Sequence, residues 1–136
     1  MTITLATQQT EAFDKIMHWF KHTEDKVFVL GGYAGTGKTT LAKLIAAEVE
    51  STLFLAYTGK AANVLRTKGC MPAGTIHSAL YQLLGKNETT GELEWGTREE
   101  VNMSKYSLTI IDEFSMLSSD IVRDLLNSNA NRILFL

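Results

Sequence analysis

A glycine-rich segment contains the residues of this sequence best suited to bind a phosphate. Residues 32–39 read Gly-Tyr-Ala-Gly-Thr-Gly-Lys-Thr and match the pattern G-x-x-x-x-G-K-[ST] at every required position. Glycines let the backbone curl so that several N–H groups converge on one anion, and a following helix adds its positive N-terminal end. Lys38 would contact the β- and γ-phosphates as a catalytic group, and the Thr39 hydroxyl would bind Mg²⁺. The residues assigned to this nucleotide site are Gly32, Ala34, Gly35, Thr36, Gly37, Lys38, Thr39 and Thr40.

Two adjacent carboxylates, Asp112 and Glu113, follow the apolar run 108–111. A strand over this run would deliver both side chains to the carboxyl edge of a sheet, where ligands of open α/β sheets bind. Asp112 would hold Mg²⁺ directly or through water, and Glu113 would orient and deprotonate an attacking water molecule. A solvated turn is the alternative, but a complete phosphate motif upstream favours a site that hydrolyses its nucleotide.

Alternating apolar runs and helical patterns predict the elements that position these residues. Apolar runs typical of buried strands occupy residues 27–30, 52–56, 108–111 and 133–136. Apolar residues at helical spacing predict helices over residues 39–49, 60–66, 76–84 and 120–126, and an earlier amphipathic helix around residues 12–20 with Thr7 as a candidate cap. Strands that are apolar on both faces and separated by helices predict an α/β fold, a parallel sheet with helices on both sides.

Composition sets the limits on other functions. The 136 residues are 45% hydrophobic and 21% charged, which is typical of one folded domain. A net charge of −2 does not by itself indicate a nucleic-acid partner. Cys70 is the one cysteine of the sequence, so an internal disulfide and a cysteine-rich zinc site are excluded. With no apolar run of about 20 residues and no signal-peptide pattern, we expect a cytoplasmic protein with no membrane partner.

The polar segment 86–104 interrupts the pattern. It contains the turn residues Thr90 and Gly91, which predict a small hairpin that leaves the sheet. After the acid pair, Met116 and Leu117 are expected to pack in the core.

Four segments, 32–40, 57–62, 74–78 and 112–116, occur in the order of four motifs of a known family. In these motifs the sequence resembles superfamily-one helicases, in particular the RecD-like and phage Dda-like subgroup that moves 5′ to 3′ on single-stranded DNA. The resemblance covers nearly the whole chain but only the first of the family's two RecA-like motor domains. It implies a RecA-like P-loop NTPase fold, ATP and Mg²⁺ as ligands, and single-stranded DNA as the track.

The resemblance also implies roles for individual residues. Gln9 matches the glutamine that reads the adenine edge, and two further motifs would contact the DNA backbone. The residues of those DNA motifs are Thr58, Lys60, Thr75, His77 and Ser78. A solvated lysine at the start of a helix is the alternative for Lys60, and a structural histidine is the alternative for His77.

Segment 86–104 occupies the place where such helicases insert a small hairpin domain that helps to split the duplex. Leu93 or Trp95 would then be an apolar wedge against the last base pair. The alternative is a surface loop that Trp95 anchors to the core.

The resemblance further implies that residues 1–136 are the amino-terminal part of a longer helicase. The second RecA-like domain, which supplies an arginine finger, would be a partner in the full-length chain, and replication or recombination proteins would be others. Without that finger we expect the isolated residues to hydrolyse ATP poorly. The bacterial or phage-infected cytoplasm is the expected location.

In the family fold the last strand lies between strands 27–30 and 108–111. Strand 27–30 would then form an exposed edge that is prone to pair with another chain. Two alternative functions stay open, a stand-alone P-loop ATPase or kinase and a nucleotide-binding regulatory module without helicase activity.

Overall fold

The computed structural model of the protein describes residues 7–30, 37–86, 88–97 and 103–136, and for residues 7, 82–86 and 93–97 it describes the backbone. Its helices are α1 (Thr7–His22), α2 (Lys38–Glu48), α3 (Gly59–Thr67), α4 (Ile76–Leu80) and α5 (Ser119–Leu126). Its strands are β1 (Val27–Val29), β2 (Thr52–Ala56), β3 (Ala73–Thr75), β4 (Tyr81–Lys86), β5 (Leu93–Thr97), β6 (Leu108–Ile111) and β7 (Ile133–Phe135).

Five strands form one parallel sheet in the order β1-β7-β6-β2-β3. The predicted α/β fold is therefore confirmed, as is the position of β7 between β1 and β6. Ile111 is paired with both Leu55 and Phe135, so the carboxyl ends of three strands lie side by side. β1 forms one edge of the sheet within the described residues, and Val29 on it is exposed.

The two faces of the sheet each carry an apolar core, because successive strand residues point to opposite sides. On β7, Leu134 faces one core, and Ile133 and Phe135 face the other. The first core is formed with buried residues of α1, α2 and α3, and the second with buried residues of α4 and α5. Burial of both faces explains why β2, β6 and β7 are nearly continuous apolar runs.

Arg132 fixes α1 against the sheet. Its guanidinium donates hydrogen bonds to the carbonyl oxygens of Trp19 at 2.7 Å and Phe20 at 3.2 Å, near the end of the helix. It also lies 4.6 Å from the centre of the Trp19 ring, within the range of a cation–π contact. A cation at this end of a helix is favourable because the helix dipole is negative there.

The polar segment does form a hairpin. β4 and β5 pair in antiparallel fashion, from Tyr81 opposite Thr97 to Lys86 opposite Leu93. Gly91 in the turn has a φ of 76°, a conformation that costs glycine little. The hairpin turn is therefore confirmed, although its first strand begins at Tyr81 and not at residue 86.

Three details of the fold differ from the sequence-based expectation. The helix predicted over 76–84 ends at Leu80, because the following residues pair with β5 and this pairing overrides their helical spacing. β3 was not predicted, since its three residues Ala73–Thr75 contain no apolar run. The core position expected for Met116 is wrong, because its side chain is 55% exposed while Phe114 packs on Phe135 instead; Leu117 is partly buried against the second core.

Within the described residues, no helix is both long enough and apolar enough to span a bilayer.

Candidate functional site

The N-terminus of α2 brings the lysine and threonine of the glycine-rich segment to the carboxyl edge of the sheet. Gly37 precedes the helix, and because it has no side chain it makes no capping hydrogen bond to the first turn. The first N–H groups of a helix have no partner within the helix, so this end carries a partial positive charge. Lys38, Thr39 and Thr40 form this first turn, and each is half-buried.

A small cavity joins this helix end to Asp112. Lys38, Thr39 and Asp112 all line it, and its free volume is about 10 Å³, comparable to the space that one water molecule needs. The backbone N–H of Asp112 donates to the Leu55 carbonyl at 3.0 Å, which holds Asp112 in line with β6. The structure therefore brings Asp112 to Lys38 and Thr39, from which it is separated by more than 70 positions in the chain. The apolar part of the lining consists of Ala42, Phe54, Leu65, Ile110 and Leu136.

Glu113 has a left-handed backbone conformation with φ 58° and ψ 52°. A residue with a side chain pays a steric cost there, and it persists when neighbouring contacts hold it. Phe114 supplies those contacts, since its N–H donates to the Leu136 carbonyl at 2.9 Å and its ring lies 4.8 Å from that of Phe135. Glu113 is half-buried beside Asp112 but is not among the residues that line the small cavity.

Gln9 lies next to the end of the glycine-rich segment. Its side-chain Nε2 donates a hydrogen bond to the Gly37 carbonyl at 3.4 Å, so α1 contacts the residue just before α2. The residues Gly32, Ala34, Gly35 and Thr36 lie outside the described residues. Lys38, Thr39, Asp112 and Glu113 are the described residues predicted to bind the nucleotide phosphates, the metal ion and the attacking water, and we call them the nucleotide corner.

The second group of predicted site residues lies at the ends of β2 and β3, and we call Thr58, Lys60, Thr75, His77 and Ser78 the cap edge. Thr58 precedes α3, and its hydroxyl accepts a hydrogen bond from the Ala61 N–H at 3.1 Å. Thr75 caps α4 in the same way, accepting from the Ser78 N–H at 3.1 Å. The Thr75 hydroxyl also donates to Ser78 Oγ at 2.8 Å. These hydroxyls are therefore N-caps, the role in which threonine and serine are favoured.

The charged and aromatic members of the cap edge are more accessible. Lys60 is exposed in the first turn of α3, and His77 is exposed on α4. The His77 ring lies 4.8 Å from the ring of Tyr81 at an angle of 48°. The Tyr81 hydroxyl donates to the Asp124 carboxylate, and burial, followed by that hydrogen bond, raises the pKa of Tyr81 to about 12.

Tyr57 and Tyr81 flank this group, and the sequence motifs predict no role for either residue. Tyr57 lies directly between β2 and Thr58 with 43% of its surface exposed. Its place immediately before a motif threonine was an available signal. Tyr81 had none, because its position depends on contact with α5.

Metal-binding and cysteine chemistry can be assessed for the same residues. In the described ranges no three His, Cys, Asp or Glu side chains are grouped so that they could hold a metal ion. Cys70 is a buried free cysteine, and its burial raises the pKa of the thiol. A metal ion at the nucleotide corner would therefore need oxygen ligands from a bound phosphate in addition to Thr39 and Asp112.

Residues 4–135 match the family model AAA_30, which is described as an AAA domain. The chain belongs to this family. The AAA domain is also 31% identical over 142 aligned positions to an uncharacterized protein of Acanthamoeba polyphaga mimivirus, an alignment that covers 88% of this chain and 28% of the viral protein.

Solved structures of Pif1 helicase resemble the AAA domain over nearly its whole length. A double mutant of Pif1 helicase from Bacteroides is 28% identical with a TM-score of 0.64, and the match covers 99% of this chain and 32% of that one. Bacteroides sp. Pif1 in complex with ADP-AlF4 is 28% identical with a TM-score of 0.62, covering 98% of this chain and 32% of that one. A structure of two coordinating Pif1 helicases that concerns unwinding at forked double-stranded DNA is 26% identical with a TM-score of 0.61, covering 98% of this chain and 33% of that one.

These matches support the resemblance to superfamily-one helicases, and the fold is that of a RecA-like helicase domain. The narrower likeness to RecD-like and Dda-like enzymes stays a prediction. The chain spans about a third of the length of the Pif1 chains that it matches.

Proposed function

We propose that this AAA domain binds and hydrolyses ATP as part of a helicase motor that acts on single-stranded DNA. The observation that carries the proposal is the cavity at the start of α2, which Lys38, Thr39 and Asp112 line together. A lysine, a threonine and an aspartate line this cavity at the positive end of a helix, and their side chains supply the cation, hydroxyl and carboxylate that a nucleotide phosphate with a divalent cation requires. The ADP-AlF4 complex of Bacteroides Pif1 supports the same assignment.

The oxygen donors of the nucleotide corner fit Mg²⁺. The Thr39 hydroxyl and the Asp112 carboxylate are hard ligands, and both line the same small cavity. When bound, Mg²⁺ would neutralise negative charge on the phosphate oxygens. Lys38 would bind the same phosphates from the first turn of α2, and Gln9 would contact the adenine edge from its place beside Gly37.

Glu113 is the residue we assign to water activation. Its left-handed backbone turns the chain directly after Asp112, and the contacts of Phe114 keep that turn in place. A carboxylate that directly follows the proposed metal ligand Asp112 is suited to orient a water molecule and accept its proton. The glycines and Thr36 of residues 32–37 would cover the phosphates.

The cap edge is the surface we assign to single-stranded DNA. Lys60 would contact a phosphate as a point charge, while Thr58, Thr75 and Ser78 shape the helix starts around it. The structure of two Pif1 helicases at forked DNA supports DNA as the partner. The same proposal includes movement from 5′ to 3′ and a second RecA-like domain. It also includes a role for the β4–β5 hairpin in separating the duplex.

The test compares ATP turnover by the full-length natural protein with and without single-stranded DNA. We expect DNA to stimulate turnover, and we expect Glu113→Gln to lower it by roughly 10²- to 10⁴-fold while a fluorescent ATP analogue still binds. Glu50→Gln is the matched control, because Glu50 is an exposed glutamate outside the nucleotide corner.

A rate of ATP turnover that does not change when single-stranded DNA is added would favour a stand-alone ATPase over the helicase motor. Loss of nucleotide binding in Glu113→Gln would give Glu113 a structural role and overturn its assignment to water activation.

A further inference from the structure

The β4–β5 hairpin leaves the rest of the domain at one place. Tyr81 begins β4 and is paired with Thr97, the last residue of β5, so the chain enters and leaves the hairpin side by side. Among the helices and strands that the structure describes, α4 is the one element outside the hairpin that makes more than slight contact with its strands. The direction of the hairpin therefore depends on a few contacts at its root.

One of these contacts joins the hairpin to α5, 43 positions further along the chain. The Tyr81 hydroxyl donates a hydrogen bond to Oδ2 of Asp124 on α5, and we call this hydrogen bond the anchor bond. Burial is the main cause that raises the pKa of Tyr81 to about 12, so at neutral pH the hydroxyl keeps the proton that it donates. A hydrogen bond to a carboxylate is stronger than one between two neutral groups.

The helix at the other end of the anchor bond is itself firmly held. Leu125 of α5 is fully buried in the second core. The Ser118 hydroxyl caps the start of the helix by accepting from the Ile121 N–H at 3.3 Å. At the helix end, Lys26 Nζ donates to the Leu126 carbonyl at 3.0 Å. The anchor bond therefore ties the hairpin to a fixed part of the domain.

The same helix follows the acid pair closely along the chain. Residues 114–118 connect Glu113 to the start of α5. Within this connection the Phe114 N–H donates to the Leu136 carbonyl at 2.9 Å, and Leu117 packs against the second core. The hairpin is thus anchored to the helix that comes directly after the residue assigned to water activation.

We propose that Tyr81 is a positioning residue, which holds the hairpin at a fixed angle to the sheet through the anchor bond so that the hairpin can press against duplex DNA. The inference rests on the proposed role of the hairpin in separating the duplex and adds the contact that makes the hairpin rigid. A functional element acts precisely only when supporting residues lock its position. Loss of the anchor bond should therefore impair duplex separation, while the nucleotide corner and the cap edge keep their own contacts.

The first experiment compares two rates of the full-length natural protein, separation of a forked DNA duplex and ATP turnover stimulated by single-stranded DNA. Tyr81→Phe keeps the ring that lies beside His77 and removes the hydroxyl. We expect this variant to separate the duplex about 5-fold more slowly or worse, the lower end of typical coupling between two sites, with unchanged DNA-stimulated ATP turnover. A merely structural role would lower both rates together.

Variants of the acceptor make the test specific. Asp124→Ala should reproduce the effect of Tyr81→Phe, and the two changes combined should have no further effect, because each removes the same hydrogen bond. Asp124→Asn keeps an oxygen acceptor and should retain most of the rate of duplex separation. Asp120→Ala is the matched control and should leave both rates unchanged, because Asp120 is an exposed aspartate one turn earlier on α5 that pairs with Arg123 at 3.3 Å.

A second experiment does not require helicase activity. Hydrogen–deuterium exchange of the backbone amides in β4 and β5 should be faster in Tyr81→Phe than in the unaltered protein, because the hairpin opens more readily without the anchor bond. Exchange in the central strands β2 and β6 should stay the same. Asp120→Ala should show the exchange of the unaltered protein throughout.

The inference is overturned if Tyr81→Phe separates the duplex as fast as the unaltered protein, if both rates fall in parallel, or if exchange in the hairpin is unchanged. Failure of the proposed function looks different, because the unaltered protein would then show no stimulation of ATP turnover by DNA or no duplex separation. The exchange experiment would still decide whether the anchor bond holds the hairpin.

Discussion

The nucleotide corner and the cap edge lie at the carboxyl ends of the same parallel sheet, yet they use their threonines differently. Thr39 at the nucleotide corner lines a cavity with a lysine and an aspartate. Thr58 and Thr75 at the cap edge bind the backbone of the helices that they precede. A motif threonine can therefore contribute through the helix it starts, and only tertiary contacts distinguish this role from a ligand contact.

The largest effect is expected at the nucleotide corner. Lys38→Ala removes the cation proposed to bind the phosphates and should lower ATP turnover by at least about 100-fold, by analogy with removal of one charge-stabilising donor. Lys43→Ala, an exposed lysine of the same helix, is the control and should keep normal turnover. Equal ATP affinity and rate in Lys38→Ala would contradict the assignment of this corner.

Substitution of a capping threonine in the cap edge should lower the stability of the fold more than it lowers binding of DNA. Thr58→Ala removes the cap of α3 and should lower the free energy of unfolding by about 0.5–2 kcal/mol, measured by urea denaturation. Thr58→Ser keeps a capping hydroxyl and should restore most of that loss. If Thr58→Ala were as stable as the unaltered protein but bound DNA poorly, the contrast between the two regions would fail.

Lys60 tests whether the cap edge holds a phosphate. Lys60→Ala should weaken binding of single-stranded DNA and reduce the slope of log affinity against log salt by about 1. Lys68→Ala changes an exposed lysine at the opposite end of α3 and should leave the slope unaltered. The same slope in both variants would return Lys60 to the class of solvated surface lysines.

A third use of threonine occurs inside the sheet. Thr109 on β6 is 1% exposed, and its hydroxyl has no hydrogen-bond partner within the described residues. Thr109→Val keeps the shape and removes the unsatisfied group, so stability should stay within roughly 1 kcal/mol of its original value or rise. A large loss of stability would show that the Thr109 hydroxyl makes a hydrogen bond in solution. Thr109 would then have a structural role, as the capping threonines Thr58 and Thr75 do.

Much of the fold was predictable because its signals are local. The four predicted strands agree with the structure to within one residue at their ends, and three of them, β2, β6 and β7, are buried strands whose sequences are nearly continuous apolar runs. β3 and the end of α4 were not predictable in this way. Three residues with no apolar run become a strand because β2 offers a partner, and Tyr81 leaves the helix because it pairs with Thr97.

The candidate site divides along the same line. The residue types and spacing of the glycine-rich segment and the acid pair are sufficient by themselves to predict phosphate and metal chemistry for Lys38, Thr39 and Asp112. Their meeting in one cavity, the left-handed turn at Glu113 and the ring pair of His77 and Tyr81 were decided by tertiary structure. The physical reason is the distance along the chain over which each signal acts. Periodicity and motif spacing involve residues that are close in sequence, whereas strand pairing and the walls of a cavity depend on residues that are far apart in the chain.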